Sequence, residues 1–191
     1  LNPHTVPPQA PFPVRHVPER EMADELGWAE IVILQGHVLE QVAALKTSNK
    51  IVVCDIYDPM HLEQLEQGRE LPGARRAHVL EVVTEVLSNQ LLRGDFFLCA
   101  SERQRHFWLG HLGAIGRLSP TLYDADPSVR SLLAVAPFGL AAKPPQRTAP
   151  AAKDVLRGIA GSDKLVLWAG GVYNWFDPLT LLRAVDELRR T

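Results

Sequence analysis

Residues 51–59, Ile-Val-Val-Cys-Asp-Ile-Tyr-Asp-Pro, decide the fold that the sequence predicts. The first four form a short apolar run, which indicates a strand buried on both faces. Polar residues and Pro59 then close the run where a helix is expected to begin. Similar runs recur along the chain, and we predict four strands at these ranges: 31–35, 51–55, 96–99 and 133–136.

Helical patterns separate these runs. The clearest covers Ala77 to Arg93, where apolar residues recur with i, i+3, i+4, i+7 spacing before Gly94 ends the helix. Ser101 and Gln104 have the spacing of a capping box at the start of another helix. We predict further helices at 19–26, 37–45, 60–65 and, after a loop containing Pro120, 127–132. Alternating strands and helices are typical of a parallel sheet covered on both faces, so residues 21–140 are predicted to form a Rossmann-like α/β domain.

The remaining segments differ in composition. Residues 1–20 contain six prolines and are predicted to form an extended arm, and residues 141–153 read as a linker. Residues 154–191 are predicted to begin a second domain with one strand at 164–168 and one helix at 178–190, capped by Asp177. This helix is expected to bury the following apolar residues: Leu181, Leu182, Val185 and Leu188.

Charge and cysteine content exclude several classes of protein. The 191 residues carry a net charge of −2 without a basic run, which argues against nucleic-acid binding. No apolar stretch approaches 18 residues, so no membrane-spanning helix is predicted. Cys54 and Cys99 lie far apart within apolar runs, which predicts two reduced, buried thiols and no metal site.

Candidate functional residues follow the predicted strands, because ligands of open parallel sheets bind beyond the strands' carboxyl ends. The candidates are His37 and Glu40, Tyr57 and Asp58, Ser101 and Glu102, and Gly170, Gly171 and Asn174. Several have a plainer interpretation. Asp58 and Ser101 are good helix caps, His37 and Glu40 suit a solvated helix start, and two glycines alone favour a tight turn.

The order of segments resembles bacterial glycosyltransferases of the GT-B fold, in the large retaining group called family 4, and most of all its actinobacterial members. The matching stretches span most of residues 29–187: VILQGHVLEQ, VVCDIYDPMHLE, LLRGDFFLCASERQRHFWLGHL, VAPFGL and LVLWAGGVYNWFDPLTLLRAV. Such enzymes have two Rossmann-like domains facing a cleft. The resemblance implies a partial chain, with an incomplete acceptor-side domain followed by the first strand and helix of the donor domain.

The resemblance also implies roles for the candidates. Tyr57 and Asp58 would lie beside the transferring sugar as catalytic residues. Gly170, Gly171 and Asn174 would face the donor diphosphate, while His37, Glu40, Ser101 and Glu102 would lie on the acceptor side. The implied donor substrate is a nucleoside-diphosphate sugar, with no other cofactor and no metal. The acceptor would be a glycan, a lipid or a small molecule, as in the synthesis of cell-envelope polysaccharide.

Two classes of function follow for the chain. The first is a segment of a hexosyltransferase-like enzyme, cytoplasmic or at the inner face of the membrane, which would not transfer sugar by itself. The second is a non-catalytic Rossmann-like module that binds a partner or acts as a scaffold. A P-loop or NAD enzyme is disfavoured, because neither glycine fingerprint is present. An open sheet edge and an unpaired strand favour a homo-oligomer.

Overall fold

A computed structural model describes residues 10–173 and 175–190. The chain divides into two compact units, of which the first ends at Phe138 and the second begins at Gly139. The first contains all the paired strands, and each unit is described by itself below.

The first unit is built on a four-stranded parallel sheet, as the sequence predicts. The strands are β1 (Ile31–Gln35), β2 (Ile51–Asp55), β3 (Phe96–Cys99) and β4 (Leu133–Val135). They lie side by side in chain order, and every neighbouring pair is parallel. The α/β Rossmann-like class predicted from the alternation of apolar runs and helices is therefore confirmed.

Helices connect the strands. A short 3-10 turn at Glu19–Glu21 leads into the first helix, and the helices of this unit have the following bounds: α1 (Met22–Trp28), α2 (Val38–Gln41), α3 (Ala43–Thr47), α4 (Met60–Gln67), α5 (Gly73–Arg93), α6 (Glu102–Ala114) and α7 (Pro120–Ala125). The predicted single helix at 37–45 is two short helices, because the backbone departs from helical angles at Val42. The prediction around Pro120 was wrong. Ser119 caps a helix with Pro120 in its first turn, and residues 127–132 form turns instead.

The core lies on one face of the sheet. The strand register places Leu34, Cys54 and Phe97 on that face, where they pack against α2, α3, α5 and α6. Connections between parallel strands are right-handed, so strands added in one direction leave their helices on one side. The opposite face is partly open: Ile31 is 55% exposed and Ile33 is 67% exposed. The expectation that helices cover both faces is thus wrong at the β1 side.

The second unit has little core. Its helices are α8 (Ala152–Val155) and α9 (Pro178–Arg190), and Asp177 accepts the capping hydrogen bond from Thr180 N–H at 3.2 Å. The prediction of a strand at 164–168 was wrong, because this segment forms no ladder with any described residue. The predicted burial of α9 is also wrong: Leu181 is partly exposed, and the other three residues are exposed, namely Leu182, Val185 and Leu188.

Both cysteines are free and buried, as predicted. Burial raises the pKa of the Cys54 thiol to about 12 and also raises the pKa of Cys99. Across residues 10–173 and 175–190, no helix is long and apolar enough to cross a membrane.

Candidate functional site

A cavity of about 210 Å³ lies at the carboxyl ends of β1 and β2. This is the edge of a parallel sheet at which ligands are expected. Polar groups from both strands, from the loop after β2 and from α5 converge there. The lining residues are Gln35, Gly36, Asp55, Ile56, Tyr57, Asp58, Met60, Leu87 and Gln90.

Tyr57 and Asp58 belong to a loop that is held at several points. Ile56 N–H donates to the Leu98 carbonyl at 2.8 Å, which extends the pairing of β2 with β3. Gln104 Nε2 donates to the Tyr57 carbonyl at 2.8 Å. The Tyr57 ring lies edge-on to Phe138, with ring centroids 5.8 Å apart. The loop therefore presents its two polar side chains from a fixed backbone.

The capping box at the start of α6 takes part in this arrangement. Ser101 Oγ accepts a hydrogen bond from Gln104 N–H at 3.3 Å, as the spacing predicts. The Gln104 side chain does not return to Ser101. Its Oε1 accepts from Ala100 N–H at 2.8 Å, while its amide group donates to Tyr57. Ser101 is thus a cap outside the cavity, and Gln104 positions the loop that lines it.

Gln90 is a site residue that the sequence analysis missed. It lies on the apolar stripe of α5, is only 1% exposed, and donates through Nε2 to the Gly36 carbonyl. Gly36 has a φ of +63°, a conformation that suits glycine, and it turns the chain from β1 toward α2. A polar residue within an otherwise apolar helical stripe is the sequence signal that would have revealed Gln90.

Acidic groups give the cavity its electrostatic character. Burial raises the pKa of Asp58 above its ordinary value, and the neighbouring Glu63 raises it further. Burial also raises the pKa of Tyr57, with smaller contributions from Asp58 and Asp55. Carboxylates and amides in one small cavity accept and donate hydrogen bonds, so the site suits a ligand rich in hydroxyl groups.

His37 and Glu40 lie apart from this cavity, in an open depression lined also by Val82 and Val86. The Glu40 carboxylate accepts hydrogen bonds from Lys46 Nζ and from Asn89 Nδ2, the latter at 2.8 Å. These two donors hold the pKa of Glu40 below its usual range. Glu40 therefore ties α2 to α3 and α5, which is a structural role.

Glu102 also lies outside the cavity. It forms an exposed ion pair with Arg130 at 2.5 Å, and this partner lowers the pKa of the carboxyl. Arg130 belongs to the turn before β4, so the pair links the start of α6 to that turn. The structure does not bring Glu102 or Ser101 together with Tyr57 and Asp58 around the cavity.

Gly170 and Gly171 belong to the second unit, and Asn174 lies outside the described residues. A Cβ atom on Gly171 would stand 2.1 Å from the Tyr173 ring, so a close approach of that ring accounts for this glycine. The Gly171 carbonyl accepts from Trp168 Nε1 at 3.0 Å. Since α9 begins only at Pro178, the glycines do not stand directly at a helix N-terminus.

A second group of side chains joins α4 to α6 next to the cavity loop. The His61 ring stacks on Phe107, with centroids 5.7 Å apart, and lies 5.3 Å from the His111 ring. Burial lowers the pKa of His61, and the nearby His111 adds to the effect. Within the described ranges, no set of three or more His, Cys, Asp or Glu residues could hold a metal ion.

Comparisons of the chain with protein-family models, with curated proteins and with solved structures found no match. The geometry of the cavity and the sequence motifs are therefore the observations that bear on the function of this chain.

Proposed function

We propose that the cavity after β2 binds a sugar ring, and that the chain is a segment of a glycosyltransferase. Such an enzyme moves a sugar from a nucleoside-diphosphate sugar to a glycan, lipid or small-molecule acceptor. The observation that supports this most directly is the convergence of Tyr57, Asp58 and two glutamine amides at the carboxyl edge of a parallel sheet. The same proposal places the enzyme in the cytoplasm or at the inner face of the membrane.

The size of the cavity favours part of a ligand over a whole one. Its volume of about 210 Å³ is below the roughly 300–1,000 Å³ of sites that enclose a drug-sized molecule. A single sugar ring is a suitable occupant, with the rest of the acceptor extending outward. We assign Asp58 to accept a hydrogen bond from a sugar hydroxyl, which orients that hydroxyl for transfer. The Tyr57 hydroxyl remains protonated near neutral pH and donates to a ring substituent.

Ligand-observed and amide-shift NMR with mono- and disaccharides at millimolar concentration tests the proposal. We expect shifts at Gly36 and at the loop that contains Tyr57. Asp58→Asn should weaken binding about tenfold, because the neutral amide oxygen accepts a weaker hydrogen bond than a carboxylate does. Glu102→Gln is the matched control, since its carboxylate is exposed and lies outside the cavity.

Stability provides a second readout for the Asp58→Asn variant. The folded-state pKa of Asp58 is raised, so its protonated form favours folding and this contribution is lost as pH rises through that pKa. Ionisation of Asp58 therefore opposes folding, and Asp58→Asn should not destabilise the protein. Lost sugar binding with retained stability supports a binding role. No shift at the cavity with any sugar contradicts the proposal.

For the second unit, we propose that the loop at Gly170 and Gly171 faces the donor diphosphate in the complete enzyme. Gly171→Val should weaken donor binding in the longest available form of the protein. Valine there also displaces the Tyr173 ring, so Tyr173→Ala is needed as a control. Equal losses in both variants would assign the effect to the ring and would contradict the diphosphate role.

The alternative function is a binding or scaffold module without catalysis. The exposed apolar side chains of β1 and α9 favour it, because such surfaces mark interaction sites. Incubation with nucleoside-diphosphate sugars separates the two functions. Release of nucleoside diphosphate by the complete protein supports the enzyme, and its absence together with absent sugar binding supports the module.

A further inference from the structure

Strand β1 has an open edge. Ile51 N–H donates to the Glu30 carbonyl at 3.1 Å, and the parallel register then directs the backbone groups of Val32 and Leu34 toward β2. The N–H and C=O groups of Ile31 and Ile33 consequently point away from the sheet. Among residues 10–173 and 175–190, no backbone group pairs with these two residues along that edge.

An apolar groove of about 470 Å³ runs along this edge. Side chains of α1, β1, α2 and α3 line it, among them Met22, Leu26, Ile33 and Val42. A purely apolar ligand such as an acyl chain would fill the groove but leave the edge N–H and C=O groups unpaired. An added β-strand satisfies both requirements, because it offers backbone partners to the edge and side chains to the groove.

A strand-like segment without a partner is present in the same sequence. Residues 164–168, Lys-Leu-Val-Leu-Trp, form no helix, turn or paired strand. Val166 is 58% exposed and Leu167 is 76% exposed, although both are residues that favour burial. Among the described residues, therefore, neither the segment nor the edge of β1 has a backbone partner in a strand ladder.

We propose that residues 164–168 of a second copy of this chain add to β1 as a fifth, parallel strand. Charge complementarity sets the register: the exposed Lys164 lies beside the exposed Glu30, so Leu165 pairs with Ile31 and Leu167 with Ile33. Paired residues of parallel strands share a face, so both leucines extend the open apolar face of the sheet. Val166 and Trp168 then point to the face that carries the helices and the groove.

The exchange gives a closed dimer. Each copy has one unpaired segment and one unpaired edge of β1, so in two copies related by a two-fold axis each segment pairs with the edge of the other copy. Residues 139–163 connect Phe138 to the segment and can span about 80 Å when extended, which is ample for the exchange. Strand exchange and sugar binding use different parts of the first unit. Of the residues that line the groove, only Gln35, at the end of the groove, also borders the polar cavity.

Disulfide formation between two differently marked chains tests both the partner and the register. Chains carrying Ile33→Cys are mixed with chains carrying Leu167→Cys, oxidised under native conditions and separated without reductant. Neighbouring strands lie about 4.8 Å apart, which is within the range for a disulfide. The native Cys54 and Cys99 are buried and should not compete. Ile33→Cys mixed with Val166→Cys is the matched control, since Val166 would point to the opposite face.

We expect a covalent heterodimer with Leu167→Cys and at least a tenfold lower yield with Val166→Cys. A cross-link that forms only when Ile33→Cys and Leu167→Cys are in the same chain overturns the second copy as the occupant. Preferential cross-linking of Ile33→Cys to Leu165→Cys overturns the parallel register.

Sedimentation of the unmodified protein is the second measurement. We expect a dimer at low micromolar concentration that dissociates in Leu167→Asp but not in Val172→Asp, whose position is equally exposed. A strict monomer at all concentrations overturns the proposal.

Discussion

The two units contain similar sequence patterns but differ in what they bury. In the first, the apolar run at 51–54 pairs on both sides, and Val52 and Cys54 are fully buried. In the second, the run at 165–168 pairs with no strand in the part of the chain that the structure describes, and all four of its residues remain exposed. In the first unit, four neighbouring strands and their helices form a core that buries the run. In the second unit, a single segment followed by one helix forms no such core among the described residues.

The helices of the two units differ in the same way. Helix α5 buries Val83, Val86, Leu87 and Leu91, whereas α9 has equally regular apolar spacing and buries none of its residues. An apolar stripe thus predicts the helix and the face of the helix that is stabilised by burial. Whether that face is buried depends on what the rest of the chain, or another chain, places against it.

Deleting a large apolar side chain from each unit gives the largest expected contrast. Phe97 is fully buried between strands and helices, so Phe97→Ala should lower the free energy of unfolding by about 3–5 kcal/mol. Leu182 is 64% exposed, and Leu182→Ala should change the free energy of unfolding by less than about 0.5 kcal/mol. Urea unfolding followed by circular dichroism measures both, and similar losses would contradict the contrast.

The polar contacts of two arginines, one in each unit, should also differ in their effect on stability. Arg105 is buried and donates to the carbonyls of Leu133, at 3.1 Å, and Ser128, so Arg105→Ala should cost about 1.5–3 kcal/mol. Arg147 forms an exposed ion pair with Asp154, and Arg147→Ala should cost at most about 1 kcal/mol. Chemical denaturation at low and high salt distinguishes them, because only the exposed pair is screened. A salt-sensitive loss for Arg105→Ala would contradict its buried role.

Glycines provide a smaller contrast. A Cβ atom on Gly94 would stand 2.5 Å from the Phe97 ring, so Gly94→Ala should destabilise the first unit by about 1–3 kcal/mol. Gly161 has open space around its Cα, and Gly161→Ala should be neutral or slightly stabilising. Thermal unfolding of both variants beside the unmodified protein is the measurement. Unchanged stability of Gly94→Ala would show that the Phe97 ring is free to move.

The pH dependence of stability is the smallest expected effect. His61 has a folded-state pKa below its ordinary value of 6.5, so the unfolded chain binds the proton more readily. The contribution of His61 to stability is therefore fully present above pH 6.5 and is lost as pH falls through its folded-state pKa, with the loss confined to the first unit. His61→Phe should flatten the profile in this range while keeping the contact with Phe107. A profile that is unchanged in His61→Phe would assign the pH dependence to other groups.

Much of the first unit follows from local patterns. The runs at 51–55 and 96–99 give β2 and β3 with their bounds, because short runs of apolar residues between helical patterns favour strands. Tyr57 and Asp58 line the cavity as their place after β2 predicts. The hydrogen bonds from Gln90 to Gly36 and from Gln104 to Tyr57 could not be predicted, because these partners lie 54 and 47 residues away in the chain.

By itself, the sequence determined the elements whose signals are local: the four paired strands, the long helix α5, the caps at Ser101 and Asp177, and the buried cysteines. Tertiary structure alone decided the order of the strands, the single face that carries the helices, and the unpaired state of residues 164–168. The physical reason is that periodicity and capping act within a few residues. Pairing and burial depend instead on groups distant in the chain, and a segment that lacks such a partner keeps its apolar surface exposed.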